Sequence, residues 1–340
     1  MTKCFIVPPY MLRSILLHGT ARQQAMAWAT LTESEQFRGQ RRILAPIHAL
    51  AATAPGVKRR TVYDARRRYE LPGKLVRTEG SPKSKDAAVN EAYYGSGATY
   101  NLFAKVFSRN SIDNRGMRLD STVHYGRGYD NAFWNGRQMV FGDGDGRIFR
   151  RFTSALDVIG HELCHGIIQH EAELQYRDQP GALNESFSDV FGSLVKQYSR
   201  RQTVEEADWL IGKELFMPDV RARGIRSLKD PGTAYDDPVL GKDPQPGHMR
   251  DYVRTPEDSG GVHVNSGIPN RAFYELASRL KGYAWEKAGR IWYATLADKL
   301  RPASNFRDAV NMTVQAAGEI FGKNSLEQKA TREAWAEVGL

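Results

Sequence analysis

The chain has 340 residues, 41% of them apolar, and a formal net charge of +9. That is enough to bury a large core, and the absence of any 18-residue apolar run excludes a membrane-spanning helix. The charge is uneven: residues 1–50 carry +4, residues 51–80 carry +5, and the remaining 260 are neutral.

Residues 1–50 read as a unit of their own. Cys4, Phe5, Ile6, Val7, Pro8, Pro9, Tyr10, Met11, Leu12 and Arg13 form an extended apolar stretch limited by prolines, followed by a helix from Ser14 to about Trp28. Pro8-Pro9 and Arg13 break what would have to be the apolar core of a secretory signal, so a cytoplasmic location or export by a signal-independent route is expected. Cys4 and Cys164 are the only cysteines, too few for a disulfide framework. The basic run Arg59, Arg60 and Arg66 to Arg68 has no nucleic-acid motif beside it and reads as a solvated segment. Residues 51–56 are small and flexible, a linker.

Thr61 to Asp64 and Lys74 to Arg77 alternate as strands divided by Pro72-Gly73. Residues 86–110 suggest a long helix interrupted near Gly95-Ser96-Gly97. A strand at Thr122 to Tyr125 precedes a hairpin over residues 131–141, with Asn135-Gly136 at its tip. Residues 142–146 read as a tight turn, because the ligands of a calcium loop are missing.

Residues 153–169 carry His161-Glu162-Leu163-Cys164-His165, the pattern H-E-x-x-H. On a helix, side chains four apart share a face, so both imidazoles can reach one cation with Glu162 beside it. Ser154 is a plausible N-cap for this helix, and Cys164 is expected to point away as a packing residue. After Pro180-Gly181, an apolar stripe from Phe187 to Tyr198 marks a second helix that bears Glu185 and Asp189 one turn apart. A catalytic zinc takes three protein ligands and keeps one position open; His161, His165 and Glu185 would supply such a set, and Asp189 could accept the free ring N–H of a liganding histidine. Further on, residues 205–214 read as a helix and residues 230–247 as a Pro/Gly/Asp-rich loop. Helices over 270–280, 286–300, 306–321 and 326–338 complete the chain.

His-Glu-Leu-Cys-His, then Gly181-Ala-Leu-Asn-Glu-Ser-Phe-Ser-Asp189, then Gly260-Gly-Val-His-Val-Asn-Ser-Gly-Ile268 resemble the thermolysin-like (M4, gluzincin) metalloproteases, in the family's order and with its 24-residue step from first histidine to glutamate. Pro-Pro-Tyr at the start is similar to the short propeptide of the protealysin-like members. The resemblance implies an α+β, two-lobed fold: a propeptide over 1–50, a β-rich lobe over 51–152, and an active-site helix with a helical lobe over 153–340. It implies one catalytic zinc on His161, His165 and Glu185, and a neutral endopeptidase made as a self-inhibited zymogen that cuts before bulky apolar residues. By the same resemblance Glu162 is the proton carrier, Tyr176 and His263 are donors to the oxyanion, and Asp258 orients His263. Asn131 and Ala132 are edge-strand contacts for substrate, Arg226 holds a primed-side carbonyl, and Phe149, Val158 and Ile225 wall the primed-side pocket. Residues 4–10 would lie in the cleft as an uncleaved product mimic, or Cys4 would offer its thiolate to the zinc. Asp157 matches a calcium ligand of the family, but Lys196 stands where a shared acidic ligand belongs, which argues against the usual two-ion site and for an ion pair with Asp157. The expected partners are a peptide or protein substrate and the chain's own propeptide, with no nucleic acid or membrane, in a monomer. A catalytically silent, peptide-binding zinc protein is the alternative; an aminopeptidase would need an anchor for the free amine, and none is recognisable.

Overall fold

A computed structural model describes residues 4–40 and 56–340. Its first strand, β1 (Cys4–Phe5), leads into α1 (Pro9–His18) and α2 (Ala21–Gln40). The extended stretch therefore ends at Pro8, five residues short of the expected Arg13. Pro8 is the extended residue before the helix, and Pro9 and Tyr10 are already helical, because a proline at the first helical position lacks only an N–H that would have no partner there. Gly19 and Thr20 split the expected single helix into two. The processing junction expected near residue 50 lies outside the described residues.

The β-rich part consists of β2 (Arg60–Asp64), β3 (Lys74–Thr78), α3 (Ala87–Val106), β4 (Leu119–Val123), β5 (Ala132–Trp134) and β6 (Met139–Phe141). One sheet runs in the order β1-β5-β6-β4-β2-β3, so the N-terminal segment adds its strand antiparallel to β5 at the edge. The tip of the β5–β6 hairpin is held by the Asn135 side chain, which accepts from the N–H groups of Arg137 and Gln138. Helix α3 is continuous. Its glycines serve close approach: a Cβ on Gly95 would come within 2.4 Å of Ile159, and one on Gly97 within 2.4 Å of the Arg60 guanidinium.

Two buried helices follow, α4 (Leu156–His170) and α5 (Asp178–Arg200). They cross at Gly160 and Gly192, where a Cβ on Gly192 would lie 2.4 Å from the Asp157 carbonyl oxygen. Ser154 does not cap α4. It belongs to a short 3₁₀ turn and donates to the Arg151 carbonyl, and Ala155 takes the cap position. Cys164 is buried against α5, as expected of a packing residue.

Residues 205–214 are not a helix. Asp208 turns inward to Lys196, Trp209 adopts a left-handed φ of 55°, and β7 (Leu210–Ile211) pairs with β8 (Arg226–Ser227). The following loop carries the small hairpin β9 (Asp236–Asp237) and β10 (Gly241–Lys242). The helical lobe closes with α6 (Asp258–Asn265), α7 (Gly267–Leu280), α8 (Ala288–Ala294), α9 (Phe306–Phe321) and α10 (Leu326–Glu337). Among the described residues no helix is long and apolar enough to cross a membrane. The mixed α+β architecture, β-rich first and helical second, is the one expected.

Candidate active site

Helix α4 presents His161 and His165 on one face, and the close crossing at Gly160 and Gly192 brings the carboxylates of α5 within their reach. His161 Nδ1 lies 2.8 Å from Asp189 Oδ1. His165 Nδ1 lies 2.8 Å from Asn184 Oδ1 and 2.9 Å from Ser188 Oγ. With each Nδ1–H directed outward, both Nε2 lone pairs point inward, and these atoms stand 2.9 Å apart. Two acceptors at that distance need a cation between them. Glu185 completes the group: its Oε2 is buried without a hydrogen-bond partner, 3.6 Å from His161 Nε2, and its Oε1 is 3.5 Å from His165 Nε2. Ligand atoms of these three residues lie within 4.8 Å of one another. Two imidazoles and one carboxylate in that arrangement fit zinc.

The surroundings are equally ordered. Asp189 accepts from Arg226 Nε and Nη2 at 2.7 and 2.8 Å and from Asn270 Nδ2 at 2.9 Å. Burial alone would raise its pKa, but Arg226 and His161 outweigh it and hold the carboxyl well below its ordinary range. Glu162 Oε2 accepts the Trp134 N–H at 2.9 Å, while Oε1 is buried without a partner. Burial, and then the Glu185 carboxylate, push Glu162 up. Burial, and then His161, push His165 down.

Asp258 and His263 are joined by a turn in which Gly260 and Gly261 have φ of 89° and 75°. A Cβ on Gly260 would fall 2.1 Å from an Asp178 oxygen, so only glycine fits. The turn lets Asp258 accept from the His263 backbone N–H at 2.8 Å and face His263 Nδ1 at 2.6 Å. Burial opposes protonation of this imidazole, but the Asp258 and Glu185 carboxylates prevail and its pKa is raised. The Tyr176 hydroxyl donates to Glu185 and stands 3.2 Å from His263 Nε2.

The N-terminal segment runs through this group. The Phe5 carbonyl oxygen is 3.0 Å from His263 Nε2. The Ile6 N–H donates to the Ala132 carbonyl at 3.2 Å, and the Ile6 carbonyl accepts from Arg226 Nη1 at 3.1 Å. Asn131 brackets Val7, accepting its N–H at 2.9 Å and donating to its carbonyl at 3.2 Å. Ile6 is fully buried in the apolar cluster that also holds Phe149, Val158 and Ile225. The Cys4 backbone pairs with Trp134, but the reading of its thiolate as a zinc ligand lies outside the described residues.

His161, His165, Glu185, Glu162, Asp189, Tyr176, Asp258, His263, Asn131, Ala132 and Arg226 thus lie around the course of Phe5 to Val7, while Phe149, Val158 and Ile225 are buried in the same apolar cluster as Ile6. Asn184, Ser188 and Asn270 escaped the sequence reading, as did the Trp134 N–H. The one available signal was position: Asn184 precedes Glu185, and Ser188 follows Asn184 by one helical turn. Away from this point, Lys196 does pair with Asp157, at 2.7 Å, and also reaches Asp208 at 2.9 Å and the Leu210 carbonyl at 2.6 Å.

A β-rich lobe and a helical lobe meeting at two imidazoles, a carboxylate and a peptide strand describe a metal-dependent peptidase. Comparison with known proteins names the family. Residues 52–169 match the thermolysin metallopeptidase catalytic domain, and residues 172–340 match its alpha-helical domain. The chain is 52% identical over 338 residues to an extracellular metalloprotease of Pectobacterium carotovorum subsp. carotovorum, covering 99% of this chain and 96% of that one. It is 48% identical over 349 residues to protease PrtS of Photorhabdus sp. (strain Az29), covering 98% and 91%. The precursor of protealysin, a metalloproteinase from Serratia proteamaculans, aligns with a TM-score of 0.91 at 51% identity over 99% of both chains. The chain belongs to the thermolysin (M4) family of metallopeptidases and is a metalloendopeptidase of that type. The cytoplasmic or signal-independent location expected from the N-terminal sequence is corrected here, since a relative this similar over nearly its whole length is named an extracellular enzyme.

Proposed function

We propose that the protein is an exported zinc endopeptidase that cuts on the N-terminal side of bulky apolar residues and is made as a zymogen whose own first residues fill its cleft. The observation that carries this reading is the course of Phe5 to Val7: an extended chain paired with the edge strand, with a fully buried apolar side chain at Ile6 and two successive carbonyls at His263 and Arg226. A substrate peptide would take the same hydrogen bonds from Asn131, Ala132 and Arg226.

When held by His161, His165 and Glu185, zinc supplies a Lewis acid and a lowered pKa for water. The protein's part is to position and to move protons. Glu162, tied to β5 through the Trp134 N–H, takes the proton of the attacking water and passes it to the departing nitrogen. Tyr176 and His263 donate to the carbonyl oxygen as charge gathers on it, and Asp258 favours the protonated form of His263 and aims it. Asp189 fixes the His161 tautomer and anchors Arg226. At Asp157 the Lys196 ammonium stands in for a metal ion, so the two-calcium arrangement is not formed there.

The test is hydrolysis of an internally quenched peptide blocked at both ends, with each residue class in turn after the cut. Activity that a chelator removes and zinc restores is expected, with bulky apolar residues favoured. Glu162→Gln should lower the rate by about 10²–10⁴-fold while leaving zinc content unchanged. A blocked peptide left intact by the zinc-loaded, processed enzyme would sink the reading.

A further inference from the structure

We infer that the Phe5–Ile6 peptide bond is itself a site of hydrolysis by the chain's own active site. The inference rests on the peptidase reading above and goes beyond it, from a segment that blocks the cleft to one that is cut there.

The bond is fixed on both sides. On its N-terminal side, Cys4 and Phe5 pair antiparallel with Trp134 and Phe133, and the Phe5 ring packs 5.3 Å from that of Phe133. On its C-terminal side, the Ile6 N–H is held by Ala132, the Ile6 carbonyl by Arg226 and Val7 by Asn131. Between them the Phe5 carbonyl oxygen meets His263 Nε2, which in turn stands 3.5 Å from Glu185 Oε2. That carbonyl is therefore placed beside the metal-binding group. Trp134, the strand partner of Cys4, also gives its N–H to Glu162, so the strand that sets the register of the bond positions the carboxylate too.

A proline at the departing nitrogen would bar the cut, and none stands there. The departing nitrogen is the ordinary amide of Ile6, and the first proline comes two residues later at Pro8. Tethering keeps the bond at high effective concentration in the cleft. In the reaction, a water oxygen bonds to the Phe5 carbonyl carbon, the bond to the Ile6 nitrogen breaks, and a proton from the water passes to that nitrogen. One water is consumed; a carboxylate on Phe5 and an amine on Ile6 result. The chain from Ile6 onward keeps its contacts with Asn131 and Arg226, and Cys4 and Phe5 keep their strand pairing with Trp134 and Phe133.

The experiment is incubation of the full-length chain with zinc, followed by intact mass and N-terminal sequencing of the chain and of any segment it releases. A new N-terminus at Ile6 is expected, absent from Glu162→Gln. Ile6→Leu should keep it, and Ile6→Asp, which puts a charge among apolar side chains, should slow it at least about tenfold. Two results would overturn the inference: an Ile6 terminus that forms equally in Glu162→Gln, or a sample that cuts the blocked peptide while every N-terminal fragment keeps Phe5 joined to Ile6. In the second case the peptidase reading survives alone; if the blocked peptide also stays whole, the peptidase reading falls first.

Discussion

On either side of the Gly160–Gly192 crossing, α4 and α5 are bound together by buried carboxylates, and the two ends answer the problem of buried negative charge differently. At one end Lys196 supplies the cation from within: Asp157, Asp208 and the Leu210 carbonyl take its three N–H donors. Burial opposes its charge, but the two carboxylates prevail and raise its pKa. At the other end Arg226 pairs with Asp189, and the lone pairs of His161, His165 and Glu185 face one another, with His263 3.5 Å from Glu185 at the rim. The first end is complete as folded. The second is built to receive an ion, and the difference separates a brace from a reaction centre on the same pair of helices.

Removing the internal cation should have the largest effect. Lys196→Met leaves Asp157 buried and unpaired, and a loss of about 3–5 kcal/mol is expected in denaturant unfolding. Zinc binding should be little altered, and added calcium should leave wild-type unfolding where it is; a calcium-dependent rise in wild-type stability would show that Lys196 does not replace the ion. At the other end, Asp189→Asn removes the acceptor that orients His161. Zinc affinity measured by competition with a chromophoric chelator should fall by about 10–100-fold. Gly192→Ala strikes both ends together, because the added methyl would meet the Asp157 carbonyl at 2.4 Å and His161 Cβ at 3.2 Å. A loss of about 1–3 kcal/mol with weakened zinc binding is expected; stability and affinity moving independently would mean the ends are not coupled through the crossing.

The smallest effect concerns a third cation, at the surface, that can titrate. His124 lies 2.8 Å from both Asp143 and Asp86. Its bond to Asp143 outweighs burial, and with help from Asp86 its pKa rises from 6.5 to about 9. A raised folded-state pKa stabilises fully below the unfolded value and is lost as pH rises through the folded one, so this contribution should fade between 6.5 and about 9. Thermal unfolding of His124→Gln across that interval should lack the decline seen in the wild type.

The metal-binding set was legible in the sequence because helical geometry turns spacing into direction: residues four apart must share a face, whatever the tertiary fold. The Lys196–Asp157 pair was legible through a charge out of keeping with a family pattern. Features decided by a distant partner were not. Gly95 and Gly97 looked like helix breakers until Ile159 and Arg60 were found against them. Residues 205–214 had the composition of a helix, but the demand of a buried Lys196 for Asp208 turned the chain inward and left β7 to pair with β8. Asn184 and Ser188 sit inside the second family-like stretch with no role of their own legible there; their role exists only because α4 lays His165 beside them.

The cleft-filling strand also bears on how the chain comes to be made. Phe5 meets His263 across a separation of 258 residues, and Ile6 meets Arg226 across 220. Contacts of such long sequence range close late, after the shorter-range parts have formed. During synthesis the strand emerges well before its partners, so the cleft can be neither filled nor competent until the helical lobe is in place. On the zymogen reading proposed above, occupation of the cleft and completion of the reaction centre would then become the same event.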